Sequence, residues 1–377
     1  MANYPIIQFG TSRFLQAHAD LFVSEALGRN EALGPIAVVQ TTASAENRKR
    51  LSHFAAGLPY PVVIRGLAGG AIVDKRVEVS SVRYGLHATD RWAEVERLFC
   101  EARVMISNTG DRGFEVDPSD APDIALPRSF PAKLARLLVA RHRADAPPMT
   151  LIPCELVPMN GAVLRDAVAG ILERWRAPEK ARVWIRDECV WANSLVDRIV
   201  SEPLEPAGAV AEPYALGAIE NQPQLEVPCR HPDVVVANDL RPYLRLKLFI
   251  LNLGHTYLAE LSHERRRSPS LTVREAMSDR ILWPDLESLY DEEVLPVFAA
   301  IGMGGEARAY RDATVERFSN PFLDHRLDDI LVNHEAKKRI RFGGLIDLAR
   351  SNGVTLKQPR LERALGAVDL SPAIASQ

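Results

Sequence analysis

Residues 5–42 read PIIQF (5–9), GTSR (10–13), FLQAHADLFVSEALG (14–28) and, past a short turn, PIAVVQTT (35–42). Short apolar runs bounded by Gly and Pro suit buried strands, and the longer amphipathic stretch between them suits a helix. Strand, turn, helix and strand make the opening βαβ unit of an open α/β sheet, in which a Gly-containing turn at the helix start can hold a phosphate through backbone N–H groups. The turn is an imperfect dinucleotide fingerprint. Gly10 is present, but Ser12 and Leu15 stand where a strict GxGxxG has its second and third glycines. The second strand ends in Gln40, Thr41 and Thr42, with no acid for an adenosine ribose, and Arg48, Lys49 and Arg50 follow soon after. NAD and NADP both stay open on this reading, and the three basic residues also fit the solvated start of a helix.

Outward from this unit, PVVIRGL, a Gly69-Gly70 turn and AIVDKRVEVSSV predict a strand hairpin. A helix over DRWAEVERLFCEAR leads into a short strand, VMIS, that ends in Asn108-Thr109-Gly110. Polar residues at the carboxyl end of such a strand lie where open α/β sheets bind ligands; a plain strand-to-loop turn explains them equally simply. Helix PAKLARLLVARHRAD, strand MTLIPCEL and helix GAVLRDAVAGILERW continue the alternation. Residues 203–232 are rich in Pro and turn formers, a strand is expected at 234–237, and from Asp239 onward the reading is almost all helix. The predicted fold class is α/β: a Rossmann-like amino-terminal domain over residues 1–238, then a mostly α-helical domain over residues 239–377.

Bulk properties narrow the function classes. With 47% hydrophobic and 25% charged residues, the 377-residue chain is ordinary globular protein rather than disordered, and its length allows two domains. A net charge of −3 gives no overall basic field, so a nucleic-acid partner is not expected. The start MANYPIIQFG has neither the basic nor the apolar part of a signal peptide, and no run of about 18 apolar residues occurs, so a cytoplasmic location with no membrane partner is expected. Cys100, Cys154, Cys189 and Cys229 form no CxxC pair and suit reduced, mostly buried thiols.

The candidate chemistry sits in KLFILNLGH, residues 247–255, within a helical run over residues 243–261. At about 100° per residue, His255 falls roughly 80° and Asn252 roughly 140° from Lys247, so three polar side chains share one face of a leucine-rich helix. A helix apolar all round is buried, and burial would bring the lysine down from its ordinary pKa of about 10.4 toward use as a proton-transfer group. Asn252 can donate from its amide, and His255 can donate at one ring nitrogen and accept at the other. The plain alternative is a lysine that reaches water and a histidine satisfied in the core.

K-x4-N-x2-H, as Lys247, Asn252 and His255, resembles the signature of the polyol-specific long-chain dehydrogenases, the mannitol dehydrogenase family, which includes fructuronate and tagaturonate reductases. The likeness covers most of the chain in order: IIQFG (6–10), VIRGL (63–67), SNT (107–109), IPCEL (152–156) with Asn160-Gly161, LVDRIV (195–200), RPY (241–243) and RFSNP (317–321). IPCEL is most similar to the tagaturonate reductase (altronate oxidoreductase) branch. Mannitol dehydrogenases carry an SCDN-like segment there, whose Asn helps hold the reacting oxygen; Leu156 takes that place here. GTSRF also departs from the more glycine-rich turn of relatives.

The resemblance implies a metal-independent, NAD-dependent oxidoreductase with its active site between the two domains, acting on a small sugar acid or polyol. Tagaturonate–altronate interconversion is the leading reaction, with mannitol, arabinitol or fructuronate as alternative substrates. It implies Lys247 as general acid/base and Asn252 and His255 as holders of the reacting oxygen. Gly10, Thr11, Ser12, Arg13 and Phe14 would surround the pyrophosphate, and Asn108 and Thr109 would lie nearer the nicotinamide. Asp197, Arg317 and His325 resemble substrate-pocket positions. Arg317 is expected on a substrate carboxylate, or else in an ion pair with a neighbouring acid such as Glu316 or Asp312. A competing class is a dinucleotide-binding sensor that has lost turnover.

Overall fold

The computed structural model describes residues 4–42, 45–110 and 112–366. Its strands are β1 (Ile6–Phe9), β2 (Ile36–Gln40), β3 (Tyr60–Ala68), β4 (Ala71–Val79), β5 (Val82–His87), β6 (Val104–Ser107), β7 (Thr150–Pro153), β8 (Val190–Trp191), β9 (Ser194–Asp197), β10 (Val200–Pro203), β11 (Ala209–Ala211), β12 (Leu216–Glu220) and β13 (Val234–Ala237). One sheet runs β5-β2-β1-β6-β7-β8, all parallel. At its centre, Ile6 to Phe9 pair with Ile36 to Val39 on one side and with Val104 to Ser107 on the other. All four residues of β1 are buried, as both faces of a central parallel strand must be. The strand order reverses between β1 and β6, which makes the carboxyl ends of these two strands the topological switch point where such sheets bind ligands.

Two smaller sheets, β10-β11-β3-β4 and β13-β12-β9, complete the strands. The hairpin of β3 and β4 follows the sequence reading, whereas β11 and β12 lie inside the Pro-rich stretch read as turns. Their segments, AVA and LGAIE, are too short and too rich in small residues to show a period of two. The first helix also departs from expectation: it breaks at His18 into Arg13–Ala17 and Ala19–Leu27. His18 is structural there. Its Nε2 bonds the Leu216 carbonyl at 2.9 Å, and its ring lies 4.8 Å from Phe14 and 4.5 Å from Phe22.

The chain divides into two compact units, and the division is not a single cut near Asn238. Lys75–Ala211 and Ala215–Leu240 join the residues up to Ile64 in the first; Arg65–Asp74 and Glu212–Tyr214 join the residues from Arg241 onward in the second. The tip of the β3–β4 hairpin is thus part of the second unit. Within that unit Glu316 accepts from the backbone N–H groups of Gly69 (3.1 Å) and Gly70 (2.6 Å), and Asn320 donates to the Arg65 carbonyl at 3.1 Å.

The core of the second unit is helical, built from residues such as Leu253, Tyr257, Leu286, Tyr290, Phe298, Phe342 and Leu345. Three of its segments are π-helical: Lys247–Asn252, Tyr290–Val294 and Arg339–Gly343. A π turn closes from residue i to i+5 and disturbs the regular α-helical ladder. Here two of the carbonyls in the first segment are met from the other two. The Tyr290 hydroxyl donates to the Ile250 carbonyl at 3.0 Å, and Arg341 Nη1 donates to the Asn252 carbonyl at 3.1 Å. Gly254 is required for this approach, because a Cβ at that position would run into the Tyr290 hydroxyl.

Tyr290→Phe keeps the ring and removes the donor. The Ile250 carbonyl keeps the Leu253 N–H, so the expected cost is that of one buried hydrogen bond, about 0.5–1.5 kcal/mol, read as a lowered midpoint in urea denaturation.

Candidate functional site

The π segment changes the geometry derived from α-helical spacing. Lys247 and Asn252 are five residues apart, the span of one π-turn hydrogen bond, so they lie closer together around the helix than α-helical spacing would place them. His255 follows three residues after Asn252, in the α-helix Leu253–Glu264, which keeps it on that face. The helix is not apolar all round as expected. Leu244 is exposed, Leu248 and Lys247 are half-buried, and burial concentrates on the Leu246, Phe249, Ile250 and Leu253 side.

His255 is buried, with its ring 4.2 Å from Phe318 and 5.0 Å, edge-on, from His325. Burial above all, and then the positive charges of His325, Arg317, Arg341 and Lys337, hold its pKa well below the usual histidine value. The imidazole is therefore neutral near neutral pH and can donate one N–H to an oxygen. Burial lowers His325 as well, opposed by the charge of Asp329.

Arg317 takes neither acid expected for it. Its Nε and Nη2 donate to Glu212 at 2.9 and 2.8 Å, in an ion pair only 3% and 2% exposed, and its guanidinium lies 4.3 Å from the Tyr214 ring. Glu316 binds the hairpin tip, and Asp312 pairs with Arg311 at 3.0 Å. The two-pronged edge of Arg317 that would have met a substrate carboxylate faces Glu212.

In the first unit, Gly10 and Asn108 meet at the switch point. Gly10 has φ +116°, and a Cβ there would run into the Asn108 carbonyl, so this place demands glycine. Ser12 caps the helix by accepting from Leu15 N at 3.2 Å, and its hydroxyl donates to Asn108 Oδ1 at 3.2 Å. The carbonyl of buried Thr11 accepts from Gln16 (3.2 Å) and Arg50 (3.0 Å). Arg50 is accordingly buried, against the expectation of a fully solvated basic run, while Arg48 is exposed and pairs with Asp90 at 3.3 Å. Arg13 is exposed, and Phe14 stacks on His18.

Asn108 donates to the Cys154 carbonyl at 2.9 Å, and Thr109 donates to Glu155 from both its N–H and its hydroxyl, each at 2.9 Å. Ser107 adds a third bond to Glu155 at 3.0 Å. Sequence reasoning passed over this buried carboxylate, although an acid at the end of the apolar run MTLIPC was its signal. Burial raises the Glu155 pKa, opposed by the bonds from Thr109 and Ser107. Leu156 beside it is 71% exposed. The nearby amides are engaged elsewhere: Asn160 donates to the Pro153 carbonyl at 2.9 Å and accepts from Ser194 N at 2.8 Å, and Asn193 donates to Glu220 at 2.8 Å. Asp197 is buried in β9, within the three-stranded sheet.

The residues proposed from sequence thus gather in two places. Gly10, Thr11, Ser12, Asn108 and Thr109 form one cluster in the first unit; Lys247, Asn252, His255, His325 and Arg317 share the second unit. Among the described residues no three His, Cys, Asp or Glu side chains group so as to hold a metal ion, and no helix is long and apolar enough to cross a membrane.

The depressed His255 pKa has a signed consequence. The unfolded chain, with its histidine near 6.5, binds the proton that the folded state refuses, so folding stability falls as pH drops through about 6.5. Urea midpoints at about pH 8 and about pH 5 should show this loss, and His255→Asn should recover part of it.

Comparison with known proteins is consistent across the chain. Residues 59–228 match the model of the mannitol dehydrogenase Rossmann domain, and residues 239–354 match that of the mannitol dehydrogenase C-terminal domain. The altronate oxidoreductase of Halalkalibacterium halodurans is 31% identical, with 89% of this chain and 69% of that protein covered. That of Bacillus subtilis is 30% identical, with 90% and 74% covered. Among solved structures, D-sorbitol dehydrogenase in substrate-free form superposes with a TM-score of 0.78 at 20% identity, covering 93% of this chain and 77% of that one. Mannitol 2-dehydrogenase of Pseudomonas fluorescens, in a ternary complex with NAD and D-mannitol, gives 0.74 at 20% identity, covering 96% and 77%. At this identity the structural likeness concerns the fold.

Proposed function

The chain belongs to the mannitol dehydrogenase family, and we propose that it is an NAD-dependent oxidoreductase interconverting a sugar acid and its keto form, altronate and tagaturonate first among them. The observation that carries this reading is the π turn that draws Lys247 and Asn252 toward one face, with neutral His255 one helical turn beyond.

The first-unit cluster fits a dinucleotide. Gly10, held to glycine by its positive φ and by the Asn108 carbonyl against it, lies at the switch point where the phosphates of such a ligand bind. Gly10, Thr11 and Ser12 would face the pyrophosphate, with Asn108 and Thr109 toward the nicotinamide and Glu155 fixing the Thr109 backbone. When bound, NAD supplies the hydride acceptor, or NADH the donor. NADP stays in the test because β2 runs out into Gln40, Thr41 and Thr42 with no acid at its end.

Lys247 takes the proton of the substrate hydroxyl as its carbon loses hydride, and returns it in the reverse direction. The Asn252 amide and one N–H of His255 hydrogen-bond the reacting oxygen and favour its alkoxide-like charge in the transition state. Leu156 brings no amide to that oxygen, so these two donors carry the stabilisation. Mannitol, arabinitol and fructuronate are the alternative substrates.

Turnover followed at the nicotinamide absorbance, with altronate, mannitol, arabinitol and the two keto acids against NAD(H) and NADP(H), tests the reading. The expected result is preferential turnover of altronate and tagaturonate with NAD(H); NADH binding without any turnover would instead identify a sensor. Lys247→Ala should lower kcat by about 10²–10⁴ and leave the NADH Kd nearly unchanged, and Asn252→Ala should lower kcat by about 10²–10³. Activity should survive exhaustive treatment with EDTA.

A further inference from the structure

We propose that Lys337 and Arg341 form the seat for the substrate carboxylate and set a preference for sugar acids over neutral polyols. This rests on the oxidoreductase reading above and assigns a part of the site that Arg317, engaged by Glu212, leaves unfilled.

Lys337 and Arg341 are four residues apart on one continuous helical stretch, His334–Lys338 followed by Arg339–Gly343, and so lie on one face. Arg341 Nη1 donates to the Asn252 carbonyl (3.1 Å) and to Thr256 Oγ1 (2.5 Å), which fixes the guanidinium beside the residues flanking His255. Lys337 Nζ donates to the Ile330 carbonyl at 2.8 Å, in the helix that follows His325. Both charges reach His255.

What distinguishes these two cations is the lack of a counterion. Other buried or half-buried cations of this unit have one: Arg317 has Glu212, Lys338 has Glu260 at 3.0 Å, and half-buried Arg360 has Glu293 at 3.2 Å. Among the described residues no carboxylate pairs with Lys337 or Arg341. Desolvation accordingly lowers the pKa of both, that of Arg341 to about 10. A half-buried charge without a partner is costly to maintain, and an anionic ligand removes that cost. The geometry suits a carboxylate in particular. Among the described residues Arg341 bonds the protein only through Nη1, so its Nε and Nη2 remain to grip two oxygens side by side, and the Lys337 ammonium adds a point charge.

The test compares D-altronate with D-altritol, the same carbon chain with the carboxylate replaced by a hydroxymethyl group. Wild-type enzyme should favour altronate in kcat/KM. Lys337→Met should raise KM for altronate about ten- to hundredfold, with KM for altritol and the Kd for NADH little changed. Arg341→Met should also raise KM for altronate and Arg341→Lys should restore part of the preference; because Arg341 also holds the Asn252 carbonyl, the comparison with altritol is decided by Lys337→Met. Altronate turnover by wild type, with a Lys337→Met enzyme that shifts both substrates equally or neither, overturns the seat and leaves the enzyme reading intact. Wild-type turnover of altritol or mannitol but not of altronate overturns the sugar-acid reading and the seat together.

Discussion

The second unit depends on how the open ladder of one π turn is satisfied. Between Lys247 and Asn252 the helix widens, and the Ile250 and Asn252 carbonyls are met by Tyr290 and Arg341. Each of those donors comes from a further π segment, so the three irregular turns stabilise one another. The widening aligns Lys247 with Asn252. The same arrangement explains Gly254, whose missing side chain admits the Tyr290 hydroxyl, and it places the charge of Arg341 beside Asn252 and Thr256. Packing and chemistry are coupled through one pair of carbonyls.

Charge in this unit is distributed unevenly. Glu212 neutralises Arg317 in a pair almost without solvent contact, where removing either partner would leave a buried charge uncompensated. Glu260 serves Lys338 and His334 in a similar way. His255 then sits among cations, and its neutrality follows from its burial together with that field. A neutral imidazole donates a hydrogen bond without adding a further positive charge, leaving the net charge of the site to its lysines and Arg341.

The sheet and its switch point were legible because β1, β2, β6 and β7 are buried on both faces and read as continuous apolar runs. The positive φ of Gly10 was legible as a glycine that ends a strand. The strands of the Pro-rich stretch were not, since AVA and LGAIE draw their stability from neighbours distant in sequence. The π turn was hidden for a different reason: a window that assumes about 100° per residue cannot register a local change of pitch. Arg317 shows the limit of reasoning from nearest acids, because its partner lies 105 residues away along the chain.

Glu155 and Leu156 show how a single motif divides its labour. The carboxylate turns inward and receives three hydrogen bonds from Ser107 and Thr109, fixing the end of β6 from the neighbouring strand β7. The next side chain points away, exposed and apolar. The segment whose SCDN-like counterpart the sequence resemblance assigns to the reacting oxygen acts here on the backbone of Asn108 and Thr109. The loss at Leu156 is not made good by Asn160 or Asn193, both engaged in backbone and carboxylate bonds of their own. On the proposed reading, stabilisation of the developing charge falls to Asn252 and His255, and Lys337 and Arg341, which no carboxylate pairs among the described residues, favour a substrate that carries its own negative charge.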